Sequence, residues 1–129
     1  MSIELTLLLW SLTLLAAYLT VQSTLYRIQH GMRFSWGGRD GEAPPGKWTA
    51  RAEKALRNFL ETYPAFVVLV AVVELADRSD ALTVWGAHIW FWARWVYLPL
   101  YLFGVFFVRS LVWTIAAVGL TMMFAGILL

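Results

Sequence analysis

The sequence predicts an all-α integral membrane protein, a four-helix bundle with its N-terminus outside, and three observations carry that prediction. Of the 129 residues, 60% are hydrophobic and only 14% charged, with a mean hydropathy of +0.67, whereas soluble domains carry about 25% charged residues. The apolar residues gather in segments of membrane-spanning length. The basic residues, in turn, crowd one loop between Arg27 and Thr49. No internal repeat or second domain is visible, so residues 1–129 read as one transmembrane domain.

The first helix is expected over residues 5–26. From Leu5 to Tyr26 no residue is charged, and 22 residues rising about 1.5 Å each cross a hydrocarbon core of roughly 30 Å. No Lys or Arg precedes this run and it is too long for a signal-peptide core, so it is expected to stay in the mature protein. Residues 27–49 hold Arg27, Arg33, Arg39 and Lys47 with Gly37, Gly38, Gly41, Pro44, Pro45 and Gly46, an exposed loop by its breakers. The positive-inside rule places this loop in the cytoplasm.

The second helix, expected over 50–76 with Thr49 as N-cap, contains Pro64, which removes one backbone bond and kinks a membrane helix without ending it. Asp77, Arg78, Ser79 and Asp80 make a short outside turn. The third helix is expected over 81–108, with Arg94 between uncharged runs of 13 and 14 residues. An arginine at that depth costs about 2.5 to 3.5 kcal/mol on insertion scales unless paired or wet. Arg109 marks the next cytoplasmic turn, and the fourth helix, 110–129, has Gly119, Ala125 and Gly126 for close packing. Trp10 and Trp85 near the outer ends, and Trp48 and Trp113 near the inner ones, suit an interfacial belt, while Trp90, Trp92 and Trp95 read as packing residues.

Several chemistries are excluded. There is no cysteine, so disulfides, thiolate metal sites and a cysteine nucleophile are ruled out, and any thiol must come from a ligand. His30 and His88 have no second ligand at a metal-binding spacing, and a net charge of +2 carries no nucleic-acid signature.

What remains is polar groups inside apolar helices. Arg51, Lys54, Asn58 and Glu61 follow steps of three, four and three, which places them within a sector of roughly 80° at about 100° per residue. Such a stripe survives in a membrane only by facing other helices or a water-filled cavity. Arg94, Tyr97 and Tyr101 form a second stripe on one face of the third helix. Other readings stand beside this one. Arg51, Lys54, Arg57 and Arg109 suit interfacial anchors, Arg94 suits a counter-charge to Glu61, and the two tyrosines suit aromatic packing.

These residues, RA and NFLETYP on the second helix, ARWVYLPLY on the third and a closing arginine before the fourth, resemble the MAPEG family of membrane-associated proteins in eicosanoid and glutathione metabolism. The resemblance runs from the first helix through the fourth. It implies homotrimers of four-helix protomers holding glutathione between neighbours near the cytosolic side. By that resemblance Asn58 and Glu61, with Tyr97 and Tyr101, contact glutathione, and Arg109 holds its sulfur as a thiolate. Arg51, Lys54 and Arg94 supply cations for its two carboxylates, while Glu61 takes its ammonium. A fixed cation beside the sulfur lowers the thiol pKa and raises the thiolate fraction. Two departures stand out: Lys54 occupies the family's usual arginine position, and the interval from Tyr101 to Arg109 differs slightly from the usual one.

The expected function is thus a membrane-bound glutathione-dependent transferase or peroxidase acting on a hydrophobic small-molecule electrophile, in a bacterial inner membrane with the site facing the cytoplasm. The alternative is a non-catalytic membrane binding or scaffold protein of the same fold. A small multidrug-type transporter is a weaker competitor, since it needs a carboxylate within its first helix and Leu5 to Tyr26 has none.

Overall fold

The computed structural model describes residues 1–129 and is all-helical, with four long helices and one short one: α1 (Ile3–His30), α2 (Met32–Trp36), α3 (Lys47–Ala76), α4 (Ala81–Leu102) and α5 (Phe106–Leu128). α1, α3 and α5 are long and apolar enough to cross a membrane. α4, with 22 residues, is not among them, and it carries Arg94 and His88 along with four tryptophans and two tyrosines.

Helix ends follow local chemistry. Ser2 caps α1 by accepting from the Leu5 amide at 3.0 Å. α1 runs on past Arg27 to His30 and stops at Gly31, whose φ of 86° breaks the helix before the short α2. The irregular part of the expected 27–49 loop is therefore only residues 37–46. It is tied back onto α1: Gln29 donates to the Pro44 carbonyl at 2.9 Å and accepts from the Gly46 amide at 2.7 Å, and the Tyr26 hydroxyl donates to Glu42. Thr49 is not the N-cap of α3. Gly46 holds that position, and the Thr49 hydroxyl instead donates to the Leu25 carbonyl at 3.2 Å, so a residue that looked like a cap joins two helices. α3 continues unbroken through Pro64.

α4 starts with a reciprocal capping box between Asp80 and Thr83. It ends at Leu102, six residues short of the expected 108. Gly104 adopts a φ of 71°, with its amide donating to the Tyr101 carbonyl at 3.2 Å and the Val105 amide to the Leu100 carbonyl at 3.1 Å. This left-handed glycine turn satisfies the last carbonyls of α4 and reverses the chain at once. α5 therefore begins at Phe106, and Arg109 lies in its first turn rather than in the connection.

The returning α5 lies against α4 with glycine on both sides. A Cβ at Gly86 would sit 2.5 Å from the Gly119 carbonyl oxygen, one at Gly119 would sit 2.7 Å from the Gly86 oxygen, and one at Gly126 would sit 2.7 Å from Thr83 Cγ2. The other face of α4 packs on α1 and α3 through a buried aromatic stack: Trp90 lies on Phe66 at 4.1 Å between ring centres and on Tyr63 at 5.9 Å, and Phe59 stacks on Tyr18 at 4.6 Å. Trp90 thus packs as the sequence suggests, whereas Trp92 is 58% exposed on the outside of the bundle. At the N-terminal end of α1, Glu4 is fully buried and accepts from the Ser79 and Thr83 hydroxyls, both at 2.7 Å.

Candidate functional site

Where α5 begins, it stands apart from α3 and α4, and the gap is a cavity of about 450 Å3 lined by Lys54, Arg57, Asn58 and Glu61 of α3, Tyr97 and Tyr101 of α4, and a face of α5 that includes Arg109. The two polar stripes therefore face one space. On α3, Asn58 is half-buried while Lys54, Arg57 and Glu61 are exposed along the open side. Three cations and one carboxylate around an open concavity make an anion-selective surface with a single place for an ammonium.

Arg94 sits behind the cavity wall. It is 1% exposed, and its Nη1 donates to Asn58 Oδ1 at 2.9 Å. Its guanidinium carbon lies 4.3 Å from the Tyr97 ring centre, 5.5 Å from Phe59 and 5.7 Å from Tyr18, and the Tyr18 hydroxyl donates to the Arg94 carbonyl at 2.7 Å. Cation–π contacts are worth up to about 2 kcal/mol when desolvated, so this aromatic surround offsets much of the cost of a buried guanidinium. Arg94 is not Glu61's counter-charge, because its hydrogen bond goes to Asn58 and Glu61 is exposed. Its Nε and Nη2 are buried without a hydrogen-bond partner.

Arg109 has its guanidinium carbon 4.4 Å from the Tyr101 ring centre and 5.3 Å from that of Phe106. Tyr97 and Tyr101 meet edge to face at 5.7 Å, so Arg94 and Arg109 stand at either end of one tyrosine pair. Stacking restricts a guanidinium to one plane while leaving its N–H edge for an acceptor.

One stripe residue is not part of this assembly. Arg51 Nη1 donates to the Leu102 carbonyl at 3.0 Å, its guanidinium lies 5.5 Å from the Trp48 ring centre, and it does not line the cavity. Sequence periodicity placed Arg51 on the right sector, but one turn nearer the helix start it meets the C-terminal carbonyls of α4 instead. Conversely, Arg57 lines the cavity although the helical wheel puts it at the stripe's edge, and Ser110, Trp113 and Thr114 join Arg109 on the α5 face. Their signal was present in the chain: positions 109, 110, 113 and 114 are one face of a helix, provided that the helix is known to start before Arg109.

The fold and the site together define a helical membrane bundle with a charged cavity between its third, fourth and fifth helices. The MAPEG family model matches residues 5–129, and the chain belongs to that family. Comparison with curated proteins and with solved structures returned no match.

Proposed function

We propose that this protein is a membrane-bound glutathione-dependent transferase or peroxidase acting on lipophilic electrophiles. The observation that carries the reading is the convergence of Lys54, Arg57, Asn58, Glu61, Tyr97, Tyr101 and Arg109 on one cavity of about 450 Å3. The donor set suits glutathione, an anion with two carboxylates and one ammonium. Lys54 and Arg57 serve carboxylates, Glu61 serves the ammonium, and the unpartnered Nε and Nη2 of Arg94 leave donors behind Asn58 and Tyr97. Arg51 has no part in this set, since it is held at Leu102.

Glutathione supplies the nucleophilic sulfur. The protein's contribution is to fix Arg109 on Tyr101 so that its N–H edge stands where a thiolate would lie, which favours the anion over the thiol. In conjugation the thiolate forms the carbon–sulfur bond, the electrophile's leaving group departs with its electron pair, and Arg109 stays protonated throughout. Trp113 and Phe106, beside Arg109, give the apolar compound a surface to approach along.

The exposed side of α3 bears a second concavity of about 510 Å3 that shares Arg57 and Glu61 with the first, which supports a site closed by a neighbouring protomer of a homotrimer. The proposed topology, four spans with the N-terminus outside by the positive-inside rule, has the cavity at the cytoplasmic end, and a bacterial inner membrane is the proposed setting. Lys54 favours one second reading, a non-catalytic MAPEG-fold binding protein, because it lacks the bidentate geometry of arginine. Calorimetric titration of the detergent-solubilised protein separates the two. The enzyme reading expects saturable glutathione binding at millimolar ligand or below, together with conjugation of a chlorinated nitrobenzene. Binding without turnover favours the binding protein, and absence of both ends the glutathione reading.

A further inference from the structure

A third concavity, of about 330 Å3, lies on the other side of the α3 start, between Val21, Thr24 and Leu25 of α1, Trp48 of α3, and Leu102 and Phe103 at the end of α4. Its walls are almost wholly apolar, and its volume is at the small end of ligand sites, which run from roughly 300 to 1,000 Å3. Its position along α1 is informative. The uncharged run of that helix ends at Tyr26 and the first cation is Arg27, so the groove opens where hydrocarbon gives way to headgroups.

Two cations lie over the ring of Trp48, which forms one wall of the groove. Lys47 Nζ and the guanidinium carbon of Arg51 are each 5.5 Å from the Trp48 ring centre. Arg51 is held there by its bond to the Leu102 carbonyl, which belongs to the groove wall. The close approach depends on Gly104, where a Cβ would lie 2.7 Å from Arg51 Nη2. Phe103 meets Trp48 edge to face at 5.9 Å. No carboxylate lines the groove: Glu53 borders a different concavity, and Glu42 is taken by the Tyr26 hydroxyl.

We propose that this groove binds an anionic phospholipid, with the phosphate between Lys47 and Arg51 and the upper part of one acyl chain along Trp48 and Leu102. Two cations with no carboxylate beside them favour a headgroup of net negative charge over one whose phosphate is offset by its own ammonium, and the apolar walls favour a chain that inorganic phosphate lacks. The inference assigns to Arg51 a partner other than the cavity ligand, and it stands whether or not the protein handles glutathione.

Native mass spectrometry of the full-length protein in detergent tests it, with phosphatidylglycerol and phosphatidylcholine of identical chains as probes. Phosphatidylglycerol is expected to be retained at least about fivefold more tightly, the scale of one interfacial cation. Lys47→Glu, a change at the exposed first residue of α3, is expected to remove most of that preference with folding unchanged. Phosphatidylglycerol brominated high on its chains is expected to quench tryptophan fluorescence more in the wild type than in Trp48→Phe. Equal retention of the two lipids, a preference unchanged by Lys47→Glu, equal quenching in both proteins, or full displacement by millimolar inorganic phosphate would each overturn the proposal.

Discussion

The two halves of α5 meet the rest of the bundle in opposite ways. Its C-terminal half lies so close to α4 that the Gly86 and Gly119 backbones leave no room for a methyl group, while its N-terminal half stands off far enough for a cavity of about 450 Å3. In lipid there is no hydrophobic gain from pressing apolar helices together, so close packing has to come from small residues and backbone contact. The glycine contact is thus the hinge of the site as well as a packing device. It fixes α5 at one end, and the three-residue turn 103–105 sets where the other end starts. Arg109, stacked on Tyr101, closes one side of the space that results, and Lys54, Asn58 and Glu61 of α3 line the other.

Breaking the tight end is expected to have the largest effect. In Gly86→Val the new Cβ falls 2.5 Å from the Gly119 oxygen and 3.0 Å from the Met123 amide nitrogen, both backbone atoms that no side-chain rotation can clear. Overpacking costs about 1–3 kcal/mol even where neighbours yield. Here the helices themselves must separate, so a loss at or above the top of that range is expected in thermal unfolding. Ser110→Ala at the open end is expected to stay within about 0.5 kcal/mol of wild type, since Ser110 is exposed beside the cavity. Equal destabilisation by the two changes would mean that α5 is not anchored by its glycines.

The open end is expected to fail in function rather than in stability. Arg109 is half-exposed and stacks on Tyr101, so Arg109→Ala leaves a gap at the rim and not in the core. If it holds the thiolate, its loss is expected to lower conjugation by about 10²- to 10³-fold, the scale of removing one preorganised donor from a developing or standing anion. The ultraviolet thiolate band of bound glutathione should disappear with it, while glutathione itself still binds through α3. A variant that melts like the wild type and conjugates at the wild-type rate would remove Arg109 from the chemistry.

The contrast also explains what the sequence made legible. A helix's own faces can be read from spacing alone, and Lys54, Asn58 and Glu61, like Tyr97 and Tyr101, each grouped on one face by spacing, line one cavity in the structure. What depends on a second helix was not readable in that way. Arg51 shares the stripe's sector yet is captured by a carbonyl of α4, 51 positions along the chain. Gly86 carries no periodic signal at all, and its role exists only because Gly119 faces it. The early end of α4 lies between these cases. Gly104 stands among apolar residues, and the uncharged run from Trp95 to Val108 read as continuous helix to 108. That left Arg109 in the connection rather than on the helix face it shares with Ser110, Trp113 and Thr114.

The smallest expected effect, and the most discriminating, lies on the cavity's exposed rim at Lys54. An ammonium attracts a carboxylate as a point charge, whereas a guanidinium adds two parallel N–H donors in the carboxylate's plane. Lys54 lies one turn before Asn58 on the cavity wall, so Lys54→Arg keeps the charge and changes only the donor geometry. If a glutathione carboxylate lies there, affinity is expected to rise several-fold, up to about tenfold for roughly 1.4 kcal/mol of added charge-assisted bonding. Turnover at saturation should stay constant, because that contact is made equally in ground and transition states. An unchanged affinity would place the carboxylate elsewhere, with Arg57 as the next cation along α3. A rise in turnover alone would mean that Lys54 acts on the reacting sulfur, and that the site is oriented the other way round, with Arg109 holding a carboxylate.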